Sequence, residues 1–117
     1  MALARDANGN AVQVLQPIDG SLQRISPAAG ARDRVGLLFP SRACVVAVRV
    51  RSLGAIAHAR LGEAAVDAAL NDFPLTIEDG WFFVSLAGKT GADKKQITHL
   101  SILAESAQAY VDIVELE

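Results

Sequence analysis

The stretch Ala43-Cys-Val-Val-Ala-Val-Arg-Val-Arg51 decides the fold class of this chain. Alternation with a period of two divides its side chains between two faces, and this period is that of an extended strand. One face carries Cys44, Val46, Val48 and Val50, and the other carries Val45, Ala47, Arg49 and Arg51. Both arginines lie on the same face, so the apolar face is expected to be buried. The stretch therefore predicts a half-buried β-strand.

The same alternation recurs further along the chain. It predicts strands at residues 55–61, 81–86, 96–103 and 110–117. The last two are rich in β-branched residues, which favour strands, and Ser52-Leu-Gly54 suits a hairpin loop between the first two strands of the series. Strands separated by turn signals, without long helical patterns between them, are typical of a sandwich or barrel. We predict an all-β fold, an antiparallel, jelly-roll-like β-sandwich.

Residues 63–70 depart from this rhythm. The sequence Glu63-Ala-Ala-Val-Asp-Ala-Ala-Leu70 has the alanine content of a helix about two turns long, and Asn71 is an acceptable stop. A helix this short is marginal on its own, and tertiary contacts can override its propensity. The segment is therefore either a short helix or a loop.

Residues 1–30 are expected to form an extended N-terminal arm, with the sandwich domain at residues 31–117. Asn8-Gly9 and Asp19-Gly20 are turn signals, and residues 12–15 and 22–25 are short extended runs between them. An extended arm suits strand addition to a neighbouring subunit. The alternative is an ordinary edge strand folded back onto its own sheet.

Length and composition limit the function classes. The chain has 117 residues, a net charge of −2 and a single cysteine, which suits one domain without a disulfide framework. The small net charge gives no global reason to bind nucleic acid. Charges interrupt every apolar run, so neither an export signal nor a membrane span is predicted. We expect synthesis in the cytoplasm, with no membrane or nucleic-acid partner.

The charges are unevenly distributed along the chain. Residues 1–60 carry eight Arg and three Asp, a balance of +5, whereas residues 61–117 carry three Lys, five Asp and five Glu, a balance of −7. One interpretation is that opposite charges meet across the sheets. The other is a dipolar surface that binds an acidic partner or another copy of the chain, a role that suits arginine.

No group of residues in the sequence indicates a reaction. Gly88-Lys89-Thr90 resembles the end of a phosphate-binding loop, but the first glycine of that motif would fall at Phe83. His58 and His99 lack the further ligands that a zinc site needs, and Cys44 is expected to be a buried thiol. The carboxylates Glu78-Asp79 lie in a predicted turn rather than across a cleft. We predict no enzymatic activity, no metal and no cofactor.

The few aromatic residues point to contacts rather than to a stacking platform. Alternation separates Trp81 and Phe83 from Phe82, so Phe82 is expected in the core. Trp81 then packs at the end of the sandwich or at an interface. The alternative is that Trp81 and Phe83 together form part of a protein contact, since Trp and Arg are enriched in interface hot spots. The predicted interface residues are Arg5, Val12, Val14, Leu15, Arg24, Arg32, Arg34, Arg42 and Trp81.

Four stretches together resemble a known group of proteins. They are Ala4-Arg-Asp-Ala-Asn-Gly-Asn-Ala-Val-Gln-Val-Leu-Gln-Pro17, Val45-Val-Ala-Val-Arg-Val-Arg51, Phe73-Pro-Leu before Asp79-Gly-Trp-Phe-Phe83, and Tyr110-Val-Asp-Ile-Val-Glu-Leu-Glu117. With this strand rhythm and turn-rich opening, the chain resembles the small β-sandwich virion proteins of tailed bacteriophages, above all head decoration, or cement, proteins.

The resemblance implies a protein that coats the assembled capsid. It would bind the major capsid protein on the outer surface of the virion and associate with itself, often as a homotrimer, with its N-terminal segment gripping the shell or the next copy. One alternative is a tail, baseplate or fibre-associated module that recognises host glycan. A second is a small β-barrel enzyme of cupin type, which stoichiometric zinc or iron would indicate.

Overall fold

The computed structural model describes residues 2–5, 11–86 and 97–117, with residues 2–5 and 11–14 described by their strand pairing alone. In these ranges the chain forms ten strands and one short 3₁₀ helix, Ile77–Asp79. The strands are β1 (Ala2–Arg5), β2 (Ala11–Val14), β3 (Gln23–Ile25), β4 (Arg32–Gly36), β5 (Val45–Val50), β6 (Ala57–Gly62), β7 (Pro74–Leu75), β8 (Phe82–Ser85), β9 (His99–Ala104) and β10 (Val111–Leu116).

Eight of these strands form two four-stranded antiparallel sheets. Sheet I has the order β3-β10-β5-β8, and sheet II has the order β4-β9-β6-β7. Counted from β3, these orders are 1-8-3-6 and 2-7-4-5, which is the strand order of an eight-stranded jelly roll. The predicted all-β, jelly-roll-like sandwich is therefore confirmed.

The core lies between the two sheets and uses the predicted faces. Val46, Val48 and Val50 of β5 are buried in one cluster with Leu100 and Ile102 of β9. Phe82 packs against this cluster, whereas Phe83 on the opposite face of β8 is 59% exposed. Alternation therefore identified correctly which side chains of β5 and β8 point inward.

The predicted hairpin at Ser52-Leu-Gly54 is wrong. β5 pairs with β10 and β8, whereas β6 pairs with β9 and β7 in the other sheet. The turn, which includes Gly54 at a φ of 80°, carries the chain from sheet I to sheet II. Alternation reports which face of a strand is buried, but it does not report which strand lies beside it.

Residues 63–70 form a bend, turns and irregular backbone, so of the two predicted alternatives the loop is correct. Arg32 Nε donates to the Ala68 carbonyl oxygen at 2.6 Å and Arg34 Nε to that of Val66 at 2.8 Å. The Ala68 N–H donates to Ser101 Oγ at 2.9 Å. These tertiary hydrogen bonds replace those of a helix, and they hold residues 63–72, the covering segment, over the outer face of sheet II.

The covering segment ends at Asp72, whose carboxylate fixes it to β6. Asp72 accepts hydrogen bonds from the Ala69 N–H at 2.7 Å and from Arg60 Nε and Nη2 at 3.0 and 2.8 Å. Burial acts to raise the pKa of Asp72, but the hydrogen bonds from Ala69 and Arg60 outweigh it, so the pKa lies below its ordinary value.

We expect the variant Asp72→Asn to reduce the acid sensitivity of the protein. A carboxyl group with a lowered pKa stabilises the fold fully above its unfolded pKa of about 3.9, and this stabilisation is lost as pH falls through the folded pKa. Urea unfolding between neutral pH and about pH 3 measures the effect. The wild type should lose more stability over this acid range than Asp72→Asn, and equal losses would contradict the assignment.

The N-terminal segment has two parts. β1 and β2 pair only with each other in the described structure, with Ala2 opposite Val14; the predicted turn at Asn8-Gly9 lies outside the described residues. β3 is an edge strand paired with β10. This part of the segment therefore follows the predicted alternative, an edge strand folded back onto its own sheet. Ile18 and Ser21 are buried as well, so residues 16–30 pack onto the sandwich.

Candidate docking face

The outer faces of the two sheets differ in how they are covered. On sheet II the covering segment completely buries Ser101 of β9, and its own Ala68 is completely buried as well. On sheet I the outer face carries large apolar side chains that are open to solvent: Leu22 is 50% exposed, Trp81 36% and Phe83 59%. Exposed aromatic and aliphatic side chains that cluster on one face mark an interaction site. We call this outer face of sheet I the docking face.

A wide apolar groove of about 870 Å³ runs across the docking face. Its lining residues are Leu15, Pro17, Ile18, Asp19, Gly20, Ser21, Leu22, Ala47, Trp81, Phe83, Val114 and Leu116. The hydroxyl of Ser21 is occupied within the chain, because it donates to the Glu115 carbonyl oxygen and accepts from the Glu115 N–H. The groove therefore offers mainly apolar contact, and its two rings, Trp81 and Phe83, lie on the same side of β8.

A cluster of charged residues borders the groove on the same face. Strand register places Arg24 of β3 and Arg49 of β5 on either side of Asp112 of β10. Arg49 Nε and Arg51 Nε each lie 2.9 Å from a carboxylate oxygen of Asp112, and Arg24 Nε lies 3.4 Å away. The guanidinium of Arg49 also stacks on the Trp81 ring at 4.6 Å from its centroid. We call these three arginines and Asp112 the Asp112 cluster.

Solvent exposure within the Asp112 cluster is sharply divided. The Asp112 side chain is 0% exposed, whereas the side chains of Arg24, Arg49 and Arg51 are 64%, 40% and 40% exposed. Three positive charges and one negative charge leave a balance of +2. The arrangement can therefore hold its own buried carboxylate and still present positive charge at the surface.

We expect Asp112→Asn to lower the free energy of unfolding by about 1–3 kcal/mol, because it removes the counter-charge of three converging arginines and weakens charged hydrogen bonds. Urea unfolding at neutral pH measures this change. The matched control is Asp67→Asn, which breaks the exposed ion pair with Arg34 and should cost at most about 1 kcal/mol. Equal stability of Asp112→Asn and the wild type would contradict this role.

The predicted interface residues divide between the docking face and other regions. Leu15 and Trp81 line the groove, and Arg24 belongs to the Asp112 cluster. The side chains of Arg5, Val12 and Val14 lie outside the described part of the structure.

The remaining predicted interface residues form contacts within the chain. Arg32 and Arg34 bind the covering segment on sheet II. Arg42 pairs with Glu117 at 2.5 Å, and its hydrogen bond lowers the pKa of Glu117. Arg42 and Arg34 thus pair with opposite charges within the chain. The pairing of opposite charges across a sheet, which the first interpretation expected, is found where Arg24 and Arg49 face Asp112.

Sequence reasoning missed that Asp112, Arg49 and Arg51 belong to the same site as Trp81 and Phe83. The alternation had already placed Arg49 and Arg51 on the outer face of β5. No sequence pattern showed that β10 lies beside β5, because the two strands are about 60 residues apart. The sequence feature that could have pointed to this site was the outer face of β5, on which the apolar Val45 and Ala47 are followed by two arginines.

The residues considered for catalysis do not converge. His58 is buried, with Nδ1 2.9 Å from the Asp72 carbonyl oxygen and Nε2 3.2 Å from Glu105 Oε2. His58 and His99 occupy opposite ends of the β6–β9 pair, which agrees with the prediction of separate histidines.

The other candidates also have local explanations. Cys44, which directly precedes β5, is half-buried rather than buried as predicted. Asp79 Oδ2 accepts from the Thr76 N–H at 2.7 Å in the predicted turn. Within residues 2–5, 11–86 and 97–117, no group of three or more His, Cys, Asp or Glu is arranged to hold a metal ion. The same residues include no helix with the length and apolar character that a membrane span requires.

Comparisons with protein-family models, with curated proteins and with solved structures found no match to this chain.

Proposed function

We propose that this protein is a head decoration protein of a tailed bacteriophage, which binds the outer surface of the assembled capsid and stabilises it. It acts as a binding protein rather than an enzyme, and its partners are the major capsid protein and other copies of itself, arranged as a homotrimer. Its final location is the virion surface, after synthesis in the host cytoplasm. The resemblance of the four sequence stretches to such virion proteins motivates the proposal.

The observation that carries the proposal is the exposed docking face of a rigid jelly roll, a fold used by viral capsid proteins among others. Leu22, Trp81 and Phe83 are exposed together there, bordered by arginines, and this composition is typical of the centre of a protein interface. Each contact with the shell can be modest, because a lattice repeats it many times and links between neighbouring copies add avidity.

A second candidate is a tail or fibre-associated module that binds host glycan. Two rings, Trp81 and Phe83, line one groove, and sugar rings stack on such platforms. However, the guanidinium of Arg49 already occupies a face of the Trp81 ring, and the groove lining is mainly apolar. Capsid binding therefore fits the geometry better. Glycan-array binding that Trp81→Ala abolishes would favour the second candidate.

The direct test mixes the purified chain with undecorated head shells of the phage that encodes it, and measures occupancy and the heat resistance of the shells. We expect saturable binding that raises heat resistance. Absence of binding to these shells would contradict the proposed function.

The role of the N-terminal segment is tested by deleting residues 2–14. This boundary retains Ile18 and Ser21, which are buried, and it keeps β3 in sheet I. We expect the deletion to lower shell occupancy clearly, because the β1–β2 pair is available to grip the shell or the next copy. Full occupancy with the shortened chain would remove the arm from the mechanism.

A further inference from the structure

We propose that the Asp112 cluster is a receptor for carboxylate groups, so that the partner segment seated on the docking face is an acidic and apolar stretch of protein. This inference rests on the proposed function in taking the partner to be a protein. It adds the chemistry of the contact, which neither the fold nor the resemblance supplies.

The first argument is the unused hydrogen-bonding capacity of the arginines. Arg24, Arg49 and Arg51 each approach Asp112 through Nε. A guanidinium has five N–H donors, four of them on the Nη atoms. Among residues 2–5, 11–86 and 97–117, the Nη donors of these three side chains make no hydrogen bond, so they can serve a second acceptor. The forked Nη pair matches the two oxygens of a carboxylate.

The second argument is that the cluster is already organised for binding. Asp112 is completely buried and fixes the Nε end of Arg49 and Arg51, while Trp81 supports the guanidinium of Arg49 from one side. Side chains held in place before binding lose less conformational freedom when the partner arrives. Because the Asp112 cluster has a net charge of +2, it attracts an incoming carboxylate, which does not have to replace Asp112 as the partner of the arginines.

The third argument is what lies beside the cluster. Trp81 belongs to both the cluster and the groove, and Phe83, Leu22 and Val114 continue the groove from there. A ligand that placed a carboxylate among the arginines would lay its neighbouring residues on this apolar surface. The complementary ligand is therefore Asp or Glu next to Leu, Ile, Val or Phe. A nucleic-acid strand carries a backbone charge at every nucleotide, so it would make few favourable contacts with the apolar groove.

The experiment selects a randomised linear peptide library on the immobilised full-length protein. Parallel selections use the double variant Arg24→Gln/Arg51→Gln and the control Arg34→Gln, which removes an arginine charge from sheet II. We expect sequences with Asp or Glu beside large apolar residues on the wild type and on Arg34→Gln. The double variant should lose this enrichment. Circular dichroism and urea unfolding confirm that each variant is folded.

An enriched peptide is then compared with its Asn/Gln counterpart by the fluorescence of Trp81, the only tryptophan of the chain. The acidic peptide should bind about tenfold more tightly, and this advantage should shrink at high salt. Enrichment without acidic residues, equal enrichment on the double variant, or equal affinity of the two peptides would overturn the inference. Tighter binding of a thymidine oligonucleotide than of any enriched peptide would overturn the assignment of a protein partner.

The outcomes separate this inference from the proposed function. Peptide enrichment that depends on Arg24 and Arg51 supports the carboxylate receptor even if head shells do not bind. Shell binding that is unchanged in the double variant would retain the proposed function and reject the receptor.

Discussion

Replacing both Trp81 and Phe83 with alanine should weaken binding to undecorated head shells by about 100-fold or more. Aromatic residues at the centre of an interface typically contribute about 2 kcal/mol or more each on truncation, and 1.4 kcal/mol corresponds to a factor of ten. Trp81 also orients Arg49 through its ring, so its loss affects the apolar and the charged parts of the docking face together. Titration of shells with labelled protein, followed by sedimentation, measures the change.

The matched control is Leu70→Ala, because Leu70 is a large apolar residue, 63% exposed, on the covering segment of sheet II. It should bind shells like the wild type. Phe83 is 59% exposed, so its truncation should leave the fold intact, which urea unfolding would verify. Normal shell binding by the double alanine variant would show that the docking face is misassigned. Equally weak shell binding by Leu70→Ala and the double alanine variant would show the same.

Replacing Glu115 with alanine should lower the free energy of unfolding by about 2–4 kcal/mol. Glu115 is 0% exposed, and its two carboxylate oxygens accept the backbone N–H groups of Leu38 and Phe39 at 2.9 and 2.8 Å. Alanine would leave two backbone donors without acceptors and would open a cavity at the end of the core. Urea unfolding at neutral pH measures the loss.

Two further variants isolate this role. Glu115→Gln keeps one carbonyl acceptor, so it should fall between the alanine variant and the wild type. Glu117→Ala removes a carboxylate two residues away that pairs with the exposed Arg42, and it should leave the stability close to that of the wild type, because exposed ion pairs contribute little. If Glu115→Ala were as stable as Glu117→Ala, the connection between β4 and β5 would not depend on this carboxylate.

The fold class and the buried faces could be predicted from the sequence because they follow from side-chain alternation. Val46, Val48 and Val50 had to point inward once the arginines of the same strand pointed outward. Phe82 and Phe83 were separated for the same reason, and their opposite exposure confirms it. Alternation is a property of a single strand, so the buried face can be predicted without knowing which strands lie beside it.

Strand neighbours and the partners of the charged residues could not be predicted, because both depend on distant parts of the chain. Ser52-Leu-Gly54 has the composition of a hairpin loop, yet it crosses between sheets. Arg32 and Arg34 were expected at an interface, yet they hold the covering segment through its carbonyl groups. The same contacts explain why residues 63–70 are not helical despite their alanine content, since the arginines and Ser101 satisfy backbone groups that a helix would pair internally.

The central claim is that the protein binds its partner through the outer face of sheet I. The most direct measurement places a photoreactive benzoylphenylalanine at position 83 or at position 70 and irradiates the protein on head shells. Our account predicts cross-links from position 83 to the major capsid protein and none from position 70. Cross-links to the capsid protein from position 70 alone, or from position 83 only to another copy of this chain, would contradict it.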